Sequence, residues 1–472
     1  MELGRRRTKI VCTIGPASSS PEAVDALVSA GMDAARLNFS HGSHEEHARW
    51  ARLVRDAQER LGRPLALIAD LQGPKLRVGD LPGPSELETG SRIVVAGEGS
   101  ARDGELPVTP SIVSEVLRPG HAVMIDDGLV RLRVDEVSGT RAACTVVVGG
   151  TVESHKGVNV PGVPLPIPSL TEKDLRDLEF ALTLGVDYVA LSFVRSAGDV
   201  RQLRERLVVA GSSTLVIAKI EKAEALADLS AIIEAADAVM VARGDLGVEI
   251  GTEDVPLVQK RIILSALEHG KPAITATQMF ESMLTRSEPT RAEASDVANA
   301  ILDGTAAVML SGETAVGRYP VESVEAMDRI ARAVEPSLGY RHELGATAEQ
   351  PFPTVRDAIT NAACDIAELL SARAILVPTY SGRTASGVAR HRPRRPIIAV
   401  SHRAQALQQM ALEWGVVPCE IEAGHDVEHL WAQTLEAARA TGIVLPGDRV
   451  VITAGTALNA PGSTNLIKVE TA

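Results

Sequence analysis

The chain has 472 residues, with 48 Lys and Arg against 61 Asp and Glu, for a formal net charge of −13. That balance excludes a protein built to bind nucleic acid or an anionic membrane, since either needs a net basic face. Apolar residues make up 45% but aromatic residues only 3%, so the cores rest on Ala, Val, Leu and Ile, and at roughly 150 residues per domain the length accommodates about three. Cys12, Cys144, Cys364 and Cys419 are scattered and fit neither a disulfide framework nor a thiolate metal site; they read as buried thiols in a reducing cytoplasm. No apolar run approaches the length of a membrane span, and Arg5-Arg6-Arg7 leads into a strand-like segment rather than a signal sequence. Only 9 of the basic residues are Lys against 39 Arg, so each lysine is a marked choice.

From the N-terminus, short β-branched runs alternate with helical patterns: Thr8 to Gly15, Ala34 to Ser40, Pro64 to Leu71, Asp187 to Phe193, Ser213 to Glu221, Ala238 to Asp245, Pro272 to Gln278 and Ala306 to Gly312. Eight βα units predict a closed (β/α)8 barrel, with Ser20-Pro21 opening the first helix and Gly31, Gly62, Gly185 and Gly270 at helix ends. The spacing breaks once. Between Pro74 and Pro161 helical periodicity vanishes, and runs such as Arg92 to Ala96, Ala122 to Ile125, Leu129 to Val134 and Ala143 to Val148, with Asp126-Asp127-Gly128 as a hairpin turn, predict a small β-barrel-like domain inserted after the third strand and placed to act as a lid. A linker to Pro353 follows, and then a C-terminal α/β domain with strands at Ala374 to Thr379, Pro396 to Ser401, Val416 to Ile421, Arg449 to Ala454 and Leu466 to Val469. The expected division is residues 1–73 with 162–340 for the barrel, 74–161 for the lid and 341–472 for the C-terminal domain.

A barrel places its chemistry at the C-terminal ends of its strands. Unusual polar residues collect there: Arg36 with Asn38, Ser40 and His41; Asp70 with Lys75 and Arg77; Lys219 with Glu221; Arg243 with Asp245; Thr277; and Ser311 with Glu313. Lys219 and Glu221 are two apart, as are Arg243 and Asp245, so strand alternation sends each pair to one side. Glu221 and Asp245 would hold a hard divalent cation, Lys219 would add a mobile positive charge, and Arg36 and Arg77 would clamp phosphates. With no nucleophile evident, phosphoryl transfer fits best.

These blocks resemble the pyruvate kinases over essentially the whole chain, above all Leu215-Val216-Ile217-Ala218-Lys219-Ile220-Glu221-Lys222, supported by Arg36 to Gly42, Met240 to Glu249, Ala276 to Met279 and Met309 to Thr314. The resemblance implies transfer of the phosphoryl group of phosphoenolpyruvate to ADP, giving pyruvate and ATP, by a cytoplasmic, allosteric homotetramer. It assigns substrate contacts to Arg36, Lys219, Gly244, Asp245, Thr277 and Ser311, with Arg36, Lys219 and Thr277 catalytic, and Mg2+ (or Mn2+) to Glu221 and Asp245. Nucleotide contacts fall to Asn38, His41, Arg77 and Lys156.

Family members that require K+ hold it at positions matching Asn38, Ser40, Asp70 and the Leu71 carbonyl, and have glutamate where this chain has Lys75. A tethered ammonium would stand in for K+ there, with Asp70 as its counter-charge, so K+ is not expected to be required. In the C-terminal domain, Thr379, Ser381, Gly382, Arg383 and Thr384 match the family's effector loop. Its partner loop, Gly455 to Asn465, has no Lys or Arg, which favours AMP or a hexose monophosphate over fructose 1,6-bisphosphate. The alternative is a keto-acid lyase or aldolase on the same barrel, using Lys219 as a Schiff base or the two acids as a metal-enolate site. His41, His44 and His47 read as a surface cluster rather than a zinc site.

Overall fold

The computed structural model describes residues 6–111, 116–163, 165–337, 354–423, 426–455 and 464–472; most of the expected linker, 338–353, lies outside them. Eight parallel strands close into a barrel in the order of the chain: β1 (Lys9–Thr13), β2 (Ala34–Asn38), β3 (Ala66–Asp70), β4 (Tyr188–Leu191), β5 (Leu215–Ile220), β6 (Ala238–Ala242), β7 (Ala273–Ala276) and β8 (Ala307–Leu310), with β8 pairing back onto β1. Both faces of each strand are covered, so their sequences run almost continuously apolar. Alternation still divides them: Val11, Ile68, Tyr188, Ile217, Met240, Ile274 and Met309 fill the barrel, while Ile10, Leu37, Leu67, Val189 and Val308 pack against the surrounding helices.

The helices begin and end where local chemistry directs. Ser20 accepts the amide of Ala23 ahead of Pro21, and Gly62 closes the helix His44–Leu61 at a φ of 58°, a left-handed conformation that glycine adopts without penalty.

Between β3 and its helix Glu172–Thr183 stands the insert, a second closed barrel of seven short strands. Its first strand, Leu76–Val78, pairs antiparallel with its last, Gly157–Asn159, so the insert leaves and returns side by side. Buried Asp174 fastens both connections, accepting the amides of Gly73 at 3.0 Å and Thr171 at 2.9 Å. Arg195 holds the return segment through the carbonyls of Leu165 and Ile167, both at 2.7 Å.

The C-terminal domain is a five-stranded sheet, parallel except for its antiparallel edge strand Thr464–Thr471. It is less separate than its composition suggests. Ala411 and Leu412, just beyond the helix Ala404–Met410, join the residues filling the barrel, Tyr188 Oη donates to the Gln409 carbonyl at 2.8 Å, and Lys9 Nζ donates to the Val416 carbonyl at 2.7 Å. The N-terminal end of the barrel is thus plugged by its neighbour. Cys12, Cys144 and Cys364 are buried thiols, whereas Cys419 is only half-buried. No helix among the described residues is long and apolar enough to cross a membrane.

Because Leu412 is fully buried, Leu412→Ala leaves a cavity under the barrel and should cost about 2–5 kcal/mol of stability. Chemical denaturation of the two proteins measures the difference; a loss below about 1 kcal/mol would mean the plug is not packed as described.

Candidate active site

The same inward faces that carry Ile and Ala through the barrel end in polar groups at its C-terminal mouth. Two residues beyond Val11, Ala34, Ile68, Ala190 and Ile217 come Thr13, Arg36, Asp70, Ser192 and Lys219, as a period of two requires. They form one chain of contacts. Arg36 Nε meets Asp70 Oδ2 at 2.6 Å and its Nη1 donates to Thr13 Oγ1 at 3.0 Å. Lys219 Nζ lies 3.2 Å from Asp70, 2.9 Å from Glu221 Oε1 and 2.7 Å from Ser192 Oγ. Ser192 Oγ in turn donates to the Leu71 carbonyl at 2.7 Å. Lys219 is therefore a fixed charge and not a mobile one: burial removes its freedom and three partners set its direction.

The charges sustain one another. Burial would lower the pKa of Lys219, but Asp70 and Glu221 outweigh it and hold the ammonium above its ordinary value. Asp70 is held below the ordinary carboxylate range, with Lys219 and Arg36 overcoming its burial. Glu221 is pushed up by burial, relieved by Lys219 and raised further by Asp245. Glu221, raised further by the nearby Asp245 and also accepting the Phe193 amide at 2.7 Å, forms with Asp245 an oxygen donor set that fits a hard divalent cation. Among the described residues no group of three or more His, Cys, Asp or Glu is arranged to hold a metal, so substrate and water oxygens would complete its shell.

Asp245 reaches the mouth by a different route from the one alternation implies. The chain turns helical at Arg243–Ile250, so Arg243 and Asp245 do not share a strand face. Arg243 is buried, with Nη1 2.7 Å from Asp296 and Nη2 2.7 Å from the Thr277 carbonyl. Asp245 stays at the mouth, where Gly244 N donates to Thr277 Oγ1 at 2.8 Å. Thr277 and Gln278 take φ of 66° and 54°, left-handed values that cost of order 1–3 kcal/mol each for such residues. Ser311 donates its amide to Glu313 Oε2 at 2.7 Å, and the buried Glu313 also accepts the Phe280 amide at 2.9 Å.

Toward the insert, Lys75 Nζ is 3.7 Å from Asp245 Oδ1. Its counter-charge is Asp245 and not Asp70, which is already saturated by Arg36 and Lys219. Asn38 Oδ1 accepts the Ser40 amide. Arg77 Nη1 donates to the His155 carbonyl at 2.9 Å. The pKa of His41 is lowered, first by desolvation and then by the cations Arg77, Arg36, Lys75 and Lys173. Lys156 is turned to its own domain, 3.0 Å from Asp126. Of the neighbouring histidines, His44 pairs with Asp177 at 2.8 Å while keeping a partly exposed side chain, whereas His47 is buried and stacked on Phe39 at 4.2 Å, so only His47 departs from a surface cluster.

Residues 5–324 match the family model for the pyruvate kinase barrel domain, and 357–470 that for the pyruvate kinase alpha/beta domain. Curated relatives include pyruvate kinases of Mycobacterium intracellulare, 47% identical over 98% of each chain, and of Geobacillus stearothermophilus, 46% identical over 99% of this chain and 80% of that protein. The pyruvate kinase of Clostridium acetobutylicum is 42% identical over 98% of this chain and 99% of its own. The chain belongs to the pyruvate kinase family.

As a family member it is a phosphotransferase with a divalent-metal requirement, and its mouth contains groups that sequence reasoning passed over. Ser192 is one of them; it does not stand out by residue type, and only the inward alternation of β4 hints at it. Arg243 is marked in the sequence, but not the Thr277 carbonyl and Asp296 that it holds. In the C-terminal domain the residues matched to an effector loop follow the strand Ala374–Pro378: Gly382, at φ 80°, donates its amide to Thr379 Oγ1 at 3.1 Å, Thr384 Oγ1 is 2.7 Å from Thr464 Oγ1, Ser381 is half-buried and Arg383 is exposed. Most of the partner loop, 456–463, lies outside the described residues.

Asp70 carries the pH signature of the site. Its native pKa is depressed, so its pairing stabilises the fold above the unfolded value of 3.8 and is lost as pH falls through the native value. Asp70→Asn should therefore cost about 3–5 kcal/mol near neutrality, by stranding buried cations, and progressively less as the pH is taken below 3.8. Denaturation curves at both pH values test this; an equal penalty in acid would contradict it.

Proposed function

We propose that phosphoenolpyruvate and ADP meet at this mouth, with Arg36, Lys219, Gly244, Asp245, Thr277 and Ser311 receiving the phosphoenolpyruvate and Glu221 with Asp245 holding Mg2+ or Mn2+. The observation that carries this is the buried Lys219 ammonium, kept charged by Asp70 and Glu221 and aimed by Ser192. As the phosphoryl group leaves, negative charge develops on the enolate oxygen, and a preorganised cation in a dry site stabilises it without reorganisation. The divalent ion, when bound, supplies Lewis-acid charge at the same oxygens. Arg36 keeps its Nη2 without a protein acceptor among the described residues, in reach of a phosphate. The enolate then needs a proton, and Thr277 orients the donor rather than acting as the acid.

Asn38, His41, Arg77 and Lys156 serve the nucleotide, Lys156 arriving with the insert when it closes as a lid. Lys75 places its ammonium beside Asp245, close to the Asn38, Ser40, Asp70 and Leu71 region, and replaces K+. The enzyme works in the cytoplasm as a homotetramer, and a phosphorylated effector such as AMP or a hexose monophosphate binds at Thr379, Ser381, Gly382, Arg383 and Thr384; effector titrations against the phosphoenolpyruvate saturation curve test that loop.

ATP formation from phosphoenolpyruvate and ADP with Mg2+, run in buffers with and without K+, is the deciding assay. Equal rates support the Lys75 substitution, and a large stimulation by K+ refutes it. Lys219→Met should lower kcat about 10³-fold, the scale of a lost preorganised charge, while phosphoenolpyruvate still binds. Near-normal turnover in that variant would remove Lys219 from the role.

A further inference from the structure

Strict alternation along β7 sends Ile274 and Ala276 into the barrel and would send Thr277 outward with Thr275, whose hydroxyl faces Thr305 at 3.0 Å. Instead the left-handed turn at Thr277 and Gln278 swings the Thr277 hydroxyl to the mouth, where it accepts the Gly244 amide and donates to the Ala276 carbonyl at 2.7 Å. A β-branched residue holds such a φ only if its surroundings impose it. One side chain contacts the whole turn. Arg243 Nε donates to the carbonyls of Ala276 and Thr277, both at 3.2 Å, and Nη2 to those of Thr277 at 2.7 Å and Gln278 at 3.3 Å. Its remaining nitrogen is anchored on Asp296, at 2.7 and 2.9 Å, from the outer helix Arg291–Leu302.

We propose that Arg243 is a positioning residue for proton delivery: its guanidinium fork imposes the left-handed turn and so presents the Thr277 hydroxyl to the substrate. This rests on the orienting role given to Thr277 above. In the step concerned, C3 of the enolate takes a solvent-derived proton to form the methyl C–H bond as the enolate oxygen becomes the ketone. Arg243 touches no reacting atom. Only a planar group with several fixed donors can span three successive carbonyls, so a lysine would keep the charge and lose the geometry.

The test is the exchange of pyruvate methyl protons with deuterated solvent in the presence of Mg2+, followed by NMR on the full-length enzyme with the fold checked by circular dichroism. Arg243→Met and Arg243→Lys should each slow exchange by about 10²-fold, the scale of a group displaced by roughly 1 Å, with a smaller change in KM for phosphoenolpyruvate. In a Thr277→Ala background, Arg243→Met should add less than about twofold, because the group it positions is gone. If Arg243→Met fails to fold, Asp296→Asn, which leaves the turn's own atoms intact, carries the same comparison. Full exchange in Arg243→Lys, or losses that multiply with Thr277→Ala, would overturn the proposal. Unchanged exchange in Thr277→Ala itself would instead bring down the role of Thr277.

Discussion

Everything at the mouth depends on a line of buried charges that alternate in sign: Arg36, Asp70, Lys219, Glu221. Each is costly to bury alone, since an unpaired ion in a poorly polarisable interior loses its hydration without return. In sequence they neutralise one another, with contacts of 2.6, 3.2 and 2.9 Å. The compensation is complete at the Asp70 end, where one carboxylate serves two cations, and incomplete at the other, where Glu221 faces Asp245. That imbalance would favour a bound cation. A site already neutral throughout would have no electrostatic reason to bind one.

The barrel makes this arrangement possible by giving its two ends different jobs. Inward positions one layer down are Val, Ala, Ile and Met, and at the far end the neighbouring domain inserts Leu412. Water is therefore excluded from below, and the polar layer can be solvated only from the lid side. Were the insert to close over that layer, its remaining water would be lost and the field of Lys219 strengthened. Asp174 and Arg195 fasten both insert connections, so any such motion would lie in the segments beyond them.

How much of this was legible in the sequence follows from the physics of each element. The eight barrel strands and the C-terminal sheet were readable because β-branched runs alternate with long amphipathic helices. The insert's short strands, such as Leu76–Val78 and Gly157–Asn159, were not, because three residues carry no period. Strand alternation placed Lys219 beside Glu221 correctly, since both hang from β5 or its end. It failed for Arg243, where the chain passes from strand to helix without an intervening loop. The counter-charge expected for Lys75 from the family's K+ site, Asp70, was wrong for another reason: Arg36 and Lys219 already saturate it, and Lys75 lies by Asp245. Ser192 carried no signal beyond the inward alternation of β4, since a serine after a strand is ordinarily a loop residue.

The electrostatics also separate the two chemistries the residues left open. A Schiff-base enzyme needs its lysine neutral at working pH, which burial among apolar or cationic groups provides by lowering the pKa. Lys219 is buried in the opposite setting, between two carboxylates that raise it. It cannot be a nucleophile without first giving up the proton that its surroundings hold. Nor can it readily serve as the acid that protonates the enolate, because the same neighbours make proton release unfavourable. What remains is a permanent positive charge at a fixed point. That matches a reaction in which a phosphoryl group is passed between oxygens and the protein's task is to neutralise charge as it moves, and it leaves the protonation of the enolate to some other group.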